Sequence, residues 1–160
     1  MNDKLNLIKK LSFFNSLDEE RLKIIDSISK IASYSKNSVL YYENDINNKI
    51  FFLISGLIKV YKIDKYENEI FLYYIYKNSL ISELTTISND TIHCFSNTEF
   101  IEESTILEVD FQEFKTEFLS KNILNQEFIN EILLKTHQLH CVVNRELVFD
   151  ATAKVAFSLC

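Results

Sequence analysis

Residues 31 to 110 break into short runs in which β-branched and aromatic side chains alternate with polar ones, at 39–42, 49–54, 57–63, 69–76, 91–95 and 105–109. Between them lie polar clusters such as Glu43-Asn44-Asp45, Lys65-Tyr66-Glu67-Asn68 and Ser88-Asn89-Asp90. Period-two alternation in runs this short, broken by turn residues at near-regular spacing, predicts strands of a sandwich or barrel-like roll. Neither a repeat of fixed period nor a low-complexity tract interrupts the pattern.

Such a roll needs residues that accept positive φ at its turns, and glycine normally serves there. The chain has one glycine, Gly56, and no proline. Asparagine is the next best residue in the left-handed region. Asn37, Asn44, Asn68 and Asn78 are therefore expected to do glycine's work.

Helical spacing flanks the β-rich stretch. Leu7, Ile8 and Leu11 recur on one face, and Phe13-Phe14 close the segment. Ser16-Leu17-Asp18-Glu19 then offers a capping box for a helix whose buried face carries Leu17, Leu22, Ile25 and Ile28. Beyond Asp110, Phe111, Phe114 and Phe118 mark a short amphipathic helix. A longer helix, spanning about 124–149, carries Ile129, Ile132, Thr136, Leu139, Val143 and Leu147 along one stripe. The stripe has coiled-coil-like spacing and is too long for a small roll to cover, so a parallel homodimer is expected.

Charge and cysteine usage limit the function classes. A formal net charge of −6 argues against this segment itself gripping a phosphate backbone. No apolar run approaches the roughly 20 residues of a membrane-spanning helix, and the first residues carry no secretion signal, so a cytoplasmic location is expected. Cys94, Cys141 and Cys160 are an odd set with wide spacing, which points to reduced thiols rather than a disulfide framework or a C-x-x-C metal pair. His93 is the single histidine of the strand region, whereas a cupin-type metal enzyme needs two close histidines on one strand. With no supported nucleophile either, an enzyme is not expected. His137-x-x-His140 lacks the four ligands of structural zinc, so no metal site is expected.

The order helix, roll, short helix and long helix resembles Crp/Fnr transcription regulators, and local sequences carry the resemblance in register. Phe13-Phe14-Asn15-Ser16-Leu17 is similar to the entry segment, and Val39-Leu40-Tyr41-Tyr42-Glu43-Asn44-Asp45 resembles a turn in which Asn44 replaces glycine. Ile50-Phe51-Phe52-Leu53-Ile54-Ser55-Gly56-Leu57-Ile58-Lys59-Val60-Tyr61 is the nearest match, with Gly56 at the hairpin glycine. Glu67-Asn68-Glu69 resembles the next turn, Leu80-Ile81-Ser82-Glu83-Leu84 the phosphate-binding segment, and Glu103-Ser104-Thr105-Ile106-Leu107-Glu108-Val109 the last strand. The resemblance implies a mainly β fold with flanking helices: a double-stranded β-helix, that is, a jelly-roll-like, cyclic-nucleotide-binding-like β-roll followed by a long dimerisation helix. It divides the chain into an effector-binding roll over 1–122, a dimerisation helix over 123–149, and a hinge at 150–160. That last stretch resembles the hinge aspartate and first helix of a winged helix-turn-helix domain. DNA contact would then come only through a C-terminal domain whose recognition helix lies beyond Cys160.

In family members that bind cyclic nucleotide, a Gly-Glu pair and a downstream arginine hold the ribose and phosphate. Here Ser82, Glu83 and Leu84 occupy the first part of that site, with serine in place of glycine. The arginine's place falls at or next to His93-Cys94, and no Lys or Arg occurs between Glu83 and Glu108. A buried phosphate without a guanidinium stays in water, so cyclic AMP in the usual mode is not expected. An iron–sulfur cluster is not expected, because it needs cysteines near the N-terminus. Haem is an alternative effector or cofactor, with His93, Cys94, His137, His140 and Cys141 as candidate ligands and nitric oxide or carbon monoxide as the sensed species. A stand-alone dimeric adaptor with a vestigial pocket is a further alternative.

Overall fold

The computed structural model describes residues 3–147. Helices α1 (Asp3–Ile8) and α2 (Glu19–Ser27) lead into β1 (Ser29–Tyr34), β2 (Ile46–Asn47), β3 (Lys49–Ser55), β4 (Leu57–Ile63) and β5 (Glu69–Tyr76). β6 (Ser79–Leu80), β7 (Ile92–His93), β8 (Asn97–Phe100) and β9 (Ser104–Asp110) complete the roll, and α3 (Phe111–Glu117) and α4 (Asn125–Leu147) follow. The strands form an antiparallel sheet ordered β1-β9-β3-β6, a second ordered β5-β4-β8, and the small pair β2-β7. This is the mainly β, jelly-roll-like fold with flanking helices and a long C-terminal helix.

Alternation along β3 explains how the roll and its helical cap share one sheet. Ile50, Phe52 and Ile54 pack into a cluster with Phe13, Phe14, Phe111, Phe114 and Phe118 from the helical segments. Phe51 and Leu53 point the other way, into a cluster with Ile58, Val60, Tyr73, Ile75 and Phe100 inside the roll. β3 is thus buried on both faces, which accounts for its nearly continuous apolar run.

Turn chemistry follows the asparagines closely. Asn37, Asn44 and Asn78 have φ of 69°, 74° and 66°, while in the turn with Asn68 it is Glu67 that takes φ 66°. The Asn68 expectation fails because Asp64 organises that turn: its carboxylate accepts from the Tyr66 and Asn68 amides at 2.7 and 2.9 Å. Gly56, with φ 106° between β3 and β4, has a second reason to be glycine, since a Cβ there would collide with the Ser104 side chain.

Several boundaries differ from expectation. The capping residue of α2 is Asp18, accepting from the Arg21 amide at 2.9 Å, while Ser16 Oγ instead donates to Glu127 at the start of α4. Residues 39–42 form a single bridge, Val39 to Glu99, rather than a strand. Residues 91–95 pair only at Ile92–His93. β8 was hidden because its buried Asn97 and Thr98 are polar. They satisfy backbone groups, Asn97 Oδ1 accepting from the Glu43 amide at 2.9 Å and Thr98 Oγ1 from the Tyr41 amide at 3.2 Å. The hinge expected over 150–160 lies outside the described residues, as do Cys160 and the end of the helix expected to reach 149.

Candidate functional site

The long helix lies on the roll with its polar side inward. Glu131 accepts from the Leu80 amide at 3.2 Å, and Gln138 donates to the Tyr74 carbonyl at 3.3 Å. Arg145 donates to the Phe71 carbonyl, and its guanidinium sits 5.5 Å over the Phe71 ring. The carbonyls of Phe71 and Tyr74 belong to β5, an edge strand with no further strand beside it. Polar side chains of α4 therefore cover an edge that would otherwise present unpaired backbone. Most of the apolar stripe of α4 is exposed: Ile129, Leu139, Val143 and Leu147 are 51%, 45%, 49% and 78% exposed, and Thr136 is exposed beside them, while Ile132 is half-buried.

Between this helix and the loop after β6 lies a cavity of about 320 Å³. Its walls are Lys62, Leu72 and Tyr73 from β4 and β5, Glu83, Leu84 and Thr85 from the loop, Phe95 and Ser96, and Ile132, Lys135, Thr136 and Leu139 from α4. The volume falls at the small end of the range for small-molecule sites. A second hollow of about 190 Å³ shares Glu83, Leu84 and Thr85 and is closed by Ile46, Ile92 and His93.

Each expected site residue has a definite place. Ser82 is buried beneath the cavity floor, its Oγ accepting from the Phe51 amide at 2.9 Å. Glu83 lines the cavity, its carboxylate held by the Phe95 amide at 2.8 Å and by the Ser96 hydroxyl. Leu84 lines it as well. Cys94 points into the roll's inner core, where the Asn47 amide donates to its sulfur at 3.3 Å. Burial pushes its thiol up to about 11, so it stays protonated. His93, one residue earlier at the end of β7, is exposed and stacks on Phe95 with ring centroids 5.0 Å apart. His140 is exposed on α4 and does not line the cavity. Of the stripe residues, Ile132, Thr136 and Leu139 line the cavity as well.

These placements bear on haem directly. The cavity wall holds neither imidazole nor thiol: His93, Cys94, His137, His140 and Cys141 all lie outside its lining. Tyr73 is the remaining ligand type on the wall, and burial together with the Glu83 charge drives its hydroxyl well up, away from the phenolate that iron would need. The residues present do not fit haem. Among the described residues no group of three His, Cys, Asp or Glu side chains could hold a metal ion.

Sequence reasoning missed Lys135. It is 8% exposed, lines the cavity and lies 5.9 Å from the Tyr73 ring centroid. Desolvation lowers its ammonium to about 8, despite the opposing pull of Glu131 and Glu83. A lysine at a position one turn from Glu131 on a helix reads as an ordinary surface pair, so nothing in the sequence singled it out. Lys62, also missed, reaches the rim, pairing with Glu43 at 2.6 Å and donating to the Phe95 carbonyl at 2.6 Å.

Among the described residues no helix is long and apolar enough to cross a membrane. Comparison with curated protein sequences returns no match. Among solved structures, a CooA mutant from Carboxydothermus hydrogenoformans superposes with a TM-score of 0.70 at 20% identity, covering 92% of this chain and 93% of that one. The sensor domain of the transcriptional regulator DNR from Pseudomonas aeruginosa gives 0.67 at 15% identity, covering 85% and 90%. The N-terminal domain of a Streptomyces coelicolor transcriptional regulator gives 0.56 at 17% identity, covering 87% and 94%. These likenesses show a shared fold. The model of the cyclic nucleotide-binding domain matches residues 31–121, more than half of the sequence, and the chain belongs to that family.

Proposed function

We propose that this chain is the sensor and dimerisation module of a Crp/Fnr-type transcription regulator, a cytoplasmic binding module rather than an enzyme. Its effector site is the cavity between the loop at 82–96 and α4, and DNA is engaged through a domain following residue 150. One observation carries the reading: Ile132, Thr136 and Leu139 line the cavity and also lie along the outward stripe of α4. A small molecule in the cavity would touch the same helix edge that packs against a second copy. Binding would then bias the packing of two helices, a population shift between arrangements of one interface.

Cyclic AMP in the usual mode is not the effector on this reading. The Glu83 carboxylate is already engaged by Phe95 and Ser96, and the loop from Ser82 to Ser96 contributes no cation. The apolar stripe supports the homodimer, because in a single copy it stands in water.

Sedimentation of the chain against Leu139→Asp tests the interface. The parent is expected to run as a dimer, and a buried aspartate at the seam to weaken association by at least about tenfold. A monomeric parent, or a variant that dimerises as well as the parent, would sink the proposal.

A further inference from the structure

Lys135 is buried to more than nine-tenths, yet among the described residues no hydrogen bond or ion pair reaches its ammonium. The nearby carboxylates are committed elsewhere: Glu83 to the Phe95 amide and Ser96 hydroxyl, Glu131 to the Leu80 amide. Neither closes to ion-pair distance, although both act on Lys135 through space. The other lysine of the wall, Lys62, is held at the rim by Glu43. The rest of the wall is mostly apolar, with Leu72, Leu84, Phe95, Ile132 and Leu139 set among the hydroxyl side chains Thr85, Ser96 and Thr136.

We infer that the cavity takes a small apolar monocarboxylate whose carboxylate pairs with Lys135 and whose hydrocarbon body fills the space between Leu84, Phe95 and Leu139. This rests on the reading of the cavity as the effector site and names its ligand class. A neutral apolar ligand would displace solvent from Lys135 and leave its ammonium desolvated without an acceptor, which is unfavourable. A ligand that fills this cavity is therefore favoured when it brings a hydrogen-bond acceptor to the ammonium, which neither Glu83 nor Glu131 reaches at ion-pair distance. Charge-assisted pairing in a water-poor site is the stronger kind of hydrogen bond. Because Lys135 lies one residue before Thr136 on α4, its neutralisation acts on the helix that carries the apolar stripe.

Calorimetric titration of the full chain with phenylacetate and octanoate, their matched amides phenylacetamide and octanamide, and cyclic AMP tests the inference. At least one carboxylate is expected to bind about tenfold or more tightly than its amide, the increment of one charged hydrogen bond. Which of the two does so separates an aromatic from an aliphatic source. Lys135→Met should erase that preference, and Lys135→Arg should keep it, with thermal unfolding of each free variant establishing that it is folded. Amides binding as tightly as carboxylates, or a preference that survives Lys135→Met, would overturn the ligand class while leaving the cavity as an effector site. Preferential binding of cyclic AMP, or no binding by any probe, would overturn it too. The sensor reading fails separately, on the sedimentation result.

Discussion

Two helices pack on the same roll by opposite means. α3 presents Phe111 and Phe114, with Phe118 just after it, all fully buried against Phe13, Phe52 and Leu107. α4 presents Glu131, Lys135, Gln138 and Arg145 and encloses a cavity rather than filling it. Close-packed aromatic burial leaves α3 one position, since any displacement opens a void. Beyond Phe128 at its start, the contacts of α4 are largely directional bonds to two edge strands, β5 and β6, each of modest net worth. A helix held that way can change its seat at small cost, which suits the element that would transmit a signal. The difference separates what stabilises the domain from what could respond.

The largest effect that would test this contrast comes from Phe114→Ala, expected to cost about 3–5 kcal/mol by chemical denaturation. Gln138→Ala on α4 should cost no more than about 1 kcal/mol in the same assay. Comparable losses at the two sites would abolish the distinction.

Next in size is a pH effect confined to the α4 side. Lys135 falls from its usual 10.5 to about 8 in the folded chain, so between those pH values the unfolded chain binds more protons. Stability therefore rises with pH through that window, by about 3 kcal/mol in all. Glu131 on α4, Glu83 on the loop, Tyr73 on β5 and Lys62 on β4 are the ionisable groups around it. Between pH 7.5 and pH 9, below the range where Cys94 titrates, the denaturation midpoint should rise in the parent more than in Lys135→Met; equal slopes in both would refute the assignment to Lys135.

The smallest effect concerns a turn remote from both helices. Asn44 sits at φ 74°, so Asn44→Ala should lose about 1 kcal/mol while Asn44→Gly changes stability by no more than about 0.5 kcal/mol. Thermal unfolding of the pair would show whether asparagine serves there for its backbone alone.

Legibility in the sequence followed the range of the interactions. Period-two patterning located β4 and β5 to the residue, because a half-buried strand writes its face locally. The turn residues Asn37, Asn44 and Asn78 were readable for the same reason. β8 was not, since Asn97 and Thr98 look like loop until Tyr41, Glu43 and Tyr61 are brought beside them.

The site divides along the same line. The resemblance of residues 80–84 to a phosphate-binding segment was enough to single out Glu83 and Leu84, and helical spacing to put the stripe on one helix. Alternating burial at the end of β7 decided the rest: it turns Cys94, just past the strand, into the core and leaves His93 outside, so two residues adjacent in sequence cannot serve one site. Only the fold lays α4 across β5 and brings Lys135 to the cavity bounded by Glu83 and Tyr73. A cation supplied from so far along the chain has no local signature, because its burial depends on which face of the helix the roll accepts.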